Sequence, residues 1–368
     1  MVCIAAFIIL CLVGVVVAFL SIFKKEIGKK YLAVFKKSWH CVFKKVRLQK
    51  CDTNFKDDVK NTILKKVILK RPKLVKPLSV AIEVLSVIIV FITIWSLVIA
   101  IKSLLALWVF GTCNVSKPSA CSLTSEACSI DAEEPKNIFE QIGQNIGEWG
   151  EIFGGIPDRL KTWSADDFSS LTVLPILNND KSYAELMKNT KAAFDIMDPG
   201  CVVCMNSYKN QLNSGFLDEY ATYIVVYPIE NSEGGYKFKN SGIASRYILA
   251  TQIYVWEHLE NGFENPRLFY VSKLINQLFT GKDEDGIQYQ IRLNNDWNET
   301  ETIEMFSKWL KEFGASSSEI GAIEELINSK VVDEALNKNK DVVDNIIHAK
   351  SIPTLIYDGR KHNGLFKD

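Results

Sequence analysis

The chain alternates between long apolar and long charged blocks before any finer pattern emerges. Val2–Phe23 is an uncharged run of 22 residues, long enough at about 1.5 Å per residue to cross a bilayer core. No positive residue precedes it and no small-x-small site closes it well. It therefore reads as a retained span, with a cleaved signal peptide as the competing reading. Leu78–Phe110 is a second apolar stretch, in which Val84–Ile101 is free of charge. It is too long for one untilted span, so its end is expected to run along the surface, with Lys102 marking the exit. Between these stretches Leu32, Phe35, Trp39, Val42, Phe43 and Val46 recur at helical spacing, with Lys36, Lys37, Lys44 and Lys45 among them. That spacing predicts an amphipathic helix lying on a membrane face, held by apolar burial and by anionic lipid.

Beyond residue 128 the period shortens. Residues 129–165 are amphipathic and Gly-punctuated, as a spacer or a short packing helix would be. Ser169–Leu177 and Ala192–Met197 read as strands, Met205–Leu212 as a helix and Tyr220–Glu230 as a buried strand. Gly242–Leu259 predicts a helix. Ile303, Phe306, Trp309, Leu310 and Phe313 make one apolar helical face ended by Gly314, after which Ser316 and Glu319 open another helix. Ile287–Leu293 alternates and predicts an added strand pair. Near the end, Ser351–Gly359 reads as a proline entering an apolar strand that closes in a turn, and Asn363–Lys367 offers a short further strand.

Charge changes the picture more than composition does. Net charge is zero, yet residues 24–77 carry 18 Lys/Arg against 4 Asp/Glu, and residues 111–368 carry 24 against 38. The positive-inside rule puts the basic loop in the cytoplasm and both chain ends, with the acidic C-terminal region, outside. Lipid is favoured over nucleic acid as the partner of a basic segment this close to two spans. Cys41 and Cys51 then lie on the reducing side and are expected to be unpaired. Cys113, Cys121 and Cys128 lie on the oxidising side, where such clusters form structural bridges; three is odd, so one is free or paired elsewhere. A redox relay handing electrons to Cys201 is the functional alternative for that cluster.

Cys201-Val202-Val203-Cys204 follows the turn Asp198-Pro199-Gly200 at the start of a helix. The unpaired N–H groups and positive dipole end there stabilise a thiolate on the first sulfur, which thiol–disulfide exchange requires. On the residues alone the pair is open to three readings: a redox-active dithiol, a structural disulfide, or part of a metal site lacking its other ligands.

Taken with the Ile352-Pro353-Thr354 strand, the chain resembles the thioredoxin superfamily, in which a proline loop faces a Cys-x-x-Cys pair. The order of elements is most similar to its DsbA-like branch, which carries a helical insertion. The resemblance covers roughly residues 185–360. It implies an α/β thioredoxin-like fold with a large helical insertion at about 236–345, preceded by two transmembrane helices. The expected divisions are 1–23 as a transmembrane helix, 24–77 as a basic cytoplasmic loop, 78–110 as a second transmembrane helix, 111–165 as an extracytoplasmic Cys-containing linker and 166–368 as the thioredoxin-like domain. It implies a catalytic set of Cys201 as the exposed nucleophile, Cys204 as the resolving thiol it pairs with, and Asp195 as a buried proton acceptor. An ordinary strand-end aspartate facing solvent is the other reading of Asp195. It also implies that Ile352 and a cis Pro353 pair with an extended substrate chain. Asp198 reads more simply as a turn residue or cap; His348, the one histidine near the proline loop, reads as a residue of a helix surface, with reach into the active site as the alternative.

No metal and no other cofactor is required. The implied partners are cysteine-containing exported proteins, the lipid bilayer and a membrane redox partner. Two features depart from the branch. Val202 and Val203 donate nothing to a thiolate, so a milder potential is expected, and only nine residues follow Gly359, leaving nothing for a closing C-terminal helix. The implied function is a membrane-anchored extracytoplasmic thiol–disulfide oxidoreductase. Its rival is a non-catalytic envelope assembly protein whose disulfide is a staple.

Overall fold

A computed structural model of the chain describes residues 25–47, 74–121, 127–130, 137–176, 191–259 and 265–367. The chain divides into two compact units, Met1–Ile101 and Lys102–Asp368. The expected span Val2–Phe23 and Cys51 lie outside the described residues.

In the first unit α1 (Lys25–Val46) is the helix that the basic, aromatic-studded segment predicts. Leu32, Trp39 and Phe43 are exposed along it. The helix α2 (Val75–Phe110) is 36 residues long and is the one described helix long and apolar enough to cross a membrane. At 1.5 Å per residue it is about 54 Å long, well beyond the ~30 Å of a bilayer core. The hydroxyls of Ser86 and Thr93 donate to the carbonyls of Ile82 and Ile89, one turn back. Neither polar group is thereby left unpaired in the apolar stretch.

Among its described residues the second unit is built on a five-stranded sheet. After β1 (Cys128–Ser129) and α3 (Ile138–Leu160) come β2 (Pro175–Ile176), β3 (Lys191–Met197), α4 (Val202–Ser214), α5 (Phe216–Glu219) and β4 (Tyr220–Val226). Six helices follow: α6 (Ser241–Glu257), α7 (Phe269–Thr280), α8 (Tyr289–Asn295), α9 (Glu299–Glu312), α10 (Ser317–Ile327) and α11 (Lys330–Asp341). The chain ends in β5 (Ser351–Ile352), β6 (Thr354–Tyr357) and β7 (Arg360–Asn363). Sheet order is β2–β4–β3–β6–β7, with β3 and β4 parallel and the other neighbours antiparallel. A parallel pair joined over a helix, then a helical insertion, then a hairpin that returns to the other side of the first strand, is a thioredoxin-like sheet.

Local sequence explains most of these elements. β3 is buried on both faces from Ala193 to Met197, as its near-continuous apolar run requires. α4 stops at Gly215, which takes the left-handed conformation at φ 77°. Asn298 with Glu301, and Ser316 with Glu319, form capping boxes that open α9 and α10. The β6–β7 turn is Asp358-Gly359, both at positive φ, which is the chemistry a two-residue hairpin needs.

One expectation is corrected here. Ile287–Leu293 does not make a strand pair: only Gln288 pairs, in an isolated antiparallel bridge to Lys282, and Tyr289–Asn295 is the helix α8. Its apolar alternation is a strand signal, but Gln290 and Leu293, three apart, are the residues it buries, and Tyr289 packs edge-on against Trp309. The 111–165 segment, expected as a linker with a spacer or a short packing helix, carries the packing helix. Its helix α3 buries Ile152, and Gly155 approaches the last turns of α2, which belong to this same second unit, so closely that a Cβ would lie 2.7 Å from Val109. Asp158 meets His348 at 2.7 Å and Glu151 meets Lys350 at 2.7 Å, while Trp163 donates its N–H to the Gly359 carbonyl at 2.9 Å. The last turns of the chain hold on through Phe366, whose carbonyl accepts from Asn210 and whose N–H donates to Ser207 of α4. Packing on the β7 side is thus supplied by a segment that precedes the sheet in sequence.

Candidate active site

The site begins at the end of β3. Asp195 is paired in register with Ile224 and Leu355 and is 1% exposed, so of its two readings the buried one holds. Gln211 of α4 donates to its Oδ2 at 2.8 Å. Burial pushes the Asp195 carboxyl up to about 6, and the Gln211 bond acts in the opposite sense.

Asp198 is more than a turn residue. Fully buried, it accepts from the N–H groups of Gly200 and Ile229, each at 2.7 Å, and from the Ser241 hydroxyl at 2.5 Å. Burial still outweighs those three bonds and lifts it to about 6. Gly200 is required by crowding, because a Cβ there would lie 2.4 Å from Phe238. Two amides of the insertion fix the same loop. Gln290 of α8 donates to the carbonyls of Pro199 and Cys201 at 2.8 and 3.0 Å, and Asn294 to that of Gly200 at 2.8 Å.

Cys201 is the N-cap residue of α4. Its sulfur is 3.8 Å from the carbonyl oxygen of Ile352, and the Ile352–Pro353 peptide is cis. The sulfur is not joined to Cys204 as expected: it is bonded to Cys128. The strand β1 runs antiparallel to β5, with Cys128 opposite Ile352 and Ser129 opposite Ser351. Ile130 N–H donates to the Lys350 carbonyl at 3.2 Å. The Lys237 ammonium donates to the carbonyl and the hydroxyl of Ser129 at 3.0 and 3.1 Å. Cys201 is consequently 0% exposed, where a nucleophile open to solvent was expected: the paired strand lies over it. Cys113 and Cys121 are bonded to each other, so the odd cysteine of that cluster is the one bonded in the site.

Cys204 is a buried free thiol, one turn inside α4, accepting the Asp198 N–H at 3.4 Å. Burial pushes this thiol well up; the Asp198 N–H opposes the rise, and the charges of Asp195 and Asp198 add to it. Proton transfer from Cys204 to one of these carboxylates would create the thiolate and remove a repelling charge in one step. Val202 is 46% exposed beside the capping cysteine. His348 stands after the helical run at positive φ, beside Asp158.

Sequence reasoning therefore brought Cys201, Cys204, Asp195, Ile352 and Pro353 to one place. It missed Cys128, Lys237, Gln290 and Asn294. Only Cys128 left a signal, as the odd member of its cluster.

No family model and no curated protein sequence matches the chain. Among solved structures, it is similar to the thiol-disulfide oxidoreductase MdbA of Corynebacterium diphtheriae at 14% identity, over 52% of this chain and 88% of that one, with a TM-score of 0.33. It is similar to the thiol-disulfide exchange protein α-DsbA2 of Wolbachia pipientis at 14%, over 55% and 85%, with a TM-score of 0.33. ScsC of Proteus mirabilis aligns at 10%, over 62% and 85%, also with a TM-score of 0.33. The thioredoxin-like assignment of this chain rests on its own strand order and on the meeting of Cys201 with the proline loop.

Proposed function

We propose that this chain is a membrane-anchored thiol–disulfide oxidoreductase of the DsbA-like kind. The carrying observation is that Cys201, at a helix N-terminus, is bonded to the cysteine of an extended strand paired with the residue before Pro353. A substrate held as a mixed disulfide would have this arrangement. In the reaction the Cys201 thiolate attacks a substrate disulfide or the Cys201–Cys204 disulfide is attacked by a substrate thiol. Either way one mixed disulfide forms at Cys201: in the first direction Cys204 resolves it, with Asp195 accepting the Cys204 proton, and in the second Cys204 leaves as a thiolate and is protonated while a second substrate thiol displaces Cys201. The proposed substrates are cysteine-containing exported proteins. The charge split supports an orientation with both termini outside, the basic loop on cytoplasmic lipid, and a redox partner met in or beside the membrane.

A second reading has an observation of its own. Cys201 is wholly buried beneath β1, as a structural staple of an assembly protein would be. The full-length chain in detergent separates the two. Catalysed reduction of insulin by glutathione, lost in Cys201→Ser, supports the exchange reading. A wild-type rate equal to that of the uncatalysed reaction overturns it.

A further inference from the structure

We infer that Cys128 is a third redox-active cysteine and that its strand is a built-in substrate of the site, released when Cys204 displaces it. This rests on exchange chemistry at Cys201 and goes beyond it.

β1 occupies the place that the resemblance reserves for an incoming chain. It is only two residues long, too short to be held by sheet propensity, yet it is fixed at each residue. Cys128 lies opposite Ile352 and Ser129 opposite Ser351, the next N–H is taken by Lys350, and Lys237 clamps Ser129 at both oxygens. These are backbone bonds plus one charge, which any extended cysteine peptide with a small polar residue after the cysteine would reproduce. One turn inside the same helix stands a free, buried thiol. Cys204 is at the third helical position of α4 and Cys201 is its N-cap, the separation over which an N3 side chain reaches back to the cap.

The step balances without an outside oxidant or reductant. The Cys204 thiolate attacks the Cys201 sulfur; a Cys201–Cys204 bond forms, the Cys128–Cys201 bond breaks, and Cys128 leaves as a thiolate. The proton given up by Cys204 is matched by the one Cys128 gains. Asp195 and Asp198 are the buried carboxylates whose charges Cys204 feels. One disulfide replaces another, and the groove beside Pro353 is vacated for a substrate.

The test is disulfide mapping of the full-length protein in detergent, equilibrated in glutathione buffers of graded ratio. After acid quenching and alkylation, non-reducing proteolysis and mass spectrometry identify the linked peptides. The expected result is that Cys128–Cys201 and Cys201–Cys204 peptides are both present. Their proportion should not change with the glutathione ratio, because no net electrons pass between them. Cys204→Ser should hold Cys128–Cys201 alone and Cys128→Ser should hold Cys201–Cys204 alone. Finding only Cys201–Cys204, reducible by glutathione, overturns the role of Cys128 and leaves the exchange reading standing. Finding only Cys128–Cys201, reducible by glutathione, overturns the displacement by Cys204 and likewise leaves exchange at Cys201 standing. Finding only Cys128–Cys201, resistant at every ratio, overturns both.

Discussion

Asp195→Asn is the perturbation whose size follows most directly from the site. The native carboxyl is buried within β3 and held at about 6 against an ordinary 3.8. A carboxyl raised on folding binds its proton more tightly in the folded state than in the unfolded one. Below about pH 3.8 it is neutral in both states and carries no electrostatic penalty. Between about 3.8 and 6 the unfolded chain ionises while the folded one resists, and the penalty grows. Above 6 it is constant, at about 3 kcal/mol for a shift of this size. Asparagine is nearly the same shape, keeps an oxygen for Gln211 Nε2 and has no charge to bury. The variant should therefore gain up to about 3 kcal/mol over wild type as pH rises from 4 to 7, and the gain should then level off. Denaturant unfolding of both full-length proteins, followed by tryptophan fluorescence at half-unit steps of pH, reads this difference. Subtracting the two curves removes Asp198, which titrates alike in both. The same variant should slow disulfide exchange, because the proton of Cys204 loses a buried acceptor. A stability difference that stays flat from pH 4 to 8 would refute the buried-carboxylate reasoning.

Other outcomes follow from single contacts. Lys237→Ala removes the ammonium that holds both oxygens of Ser129; bonds to a charged donor are each worth about 1.5–3 kcal/mol, so glutathione should reduce the Cys128–Cys201 bond at least roughly tenfold faster, measured by timed thiol trapping. Gly200→Ala places a Cβ 2.4 Å from Phe238 and should destabilise the fold by about 1–3 kcal/mol, read from the denaturation midpoint. The double change Cys113→Ser with Cys121→Ser opens a bridge between residues 8 apart. It should cost about 2–3 kcal/mol of stability and leave the insulin assay unchanged.

Much of the site was legible because its parts are local. A cysteine pair after an Asp-Pro-Gly turn, a proline opening a late strand, and an acid in an apolar run are each visible within ten residues. The hairpin at Asp358-Gly359 and the boxes at Asn298 and Ser316 show local turn and cap chemistry in agreement with the fold. What was not legible is long-range. Disulfide partners cannot be read from spacing, and Cys128 meets Cys201 from 73 residues away through a strand too short to show a period. Gln290 and Asn294 bind backbone carbonyls about 90 residues distant, and a side-chain amide aimed at a carbonyl has no sequence signature. The α8 segment misled because alternation in seven residues fits a strand, while its burial was decided by Trp309 and its neighbours. The role of α3 was hidden for the same reason: its partners, from His348 to Lys361, lie some 200 residues further on.

The central claim is that Cys201 exchanges disulfides, and a redox titration of the full-length protein in detergent tests it most directly, provided that Cys128 is present. Equilibrated against glutathione and trapped, Cys201 should titrate at between about −270 and −120 mV, the span of proteins that exchange disulfides, and its place in that span gives the direction of the reaction. A potential below about −300 mV, with Cys201 resisting the trap, would contradict the account and make its bond a staple.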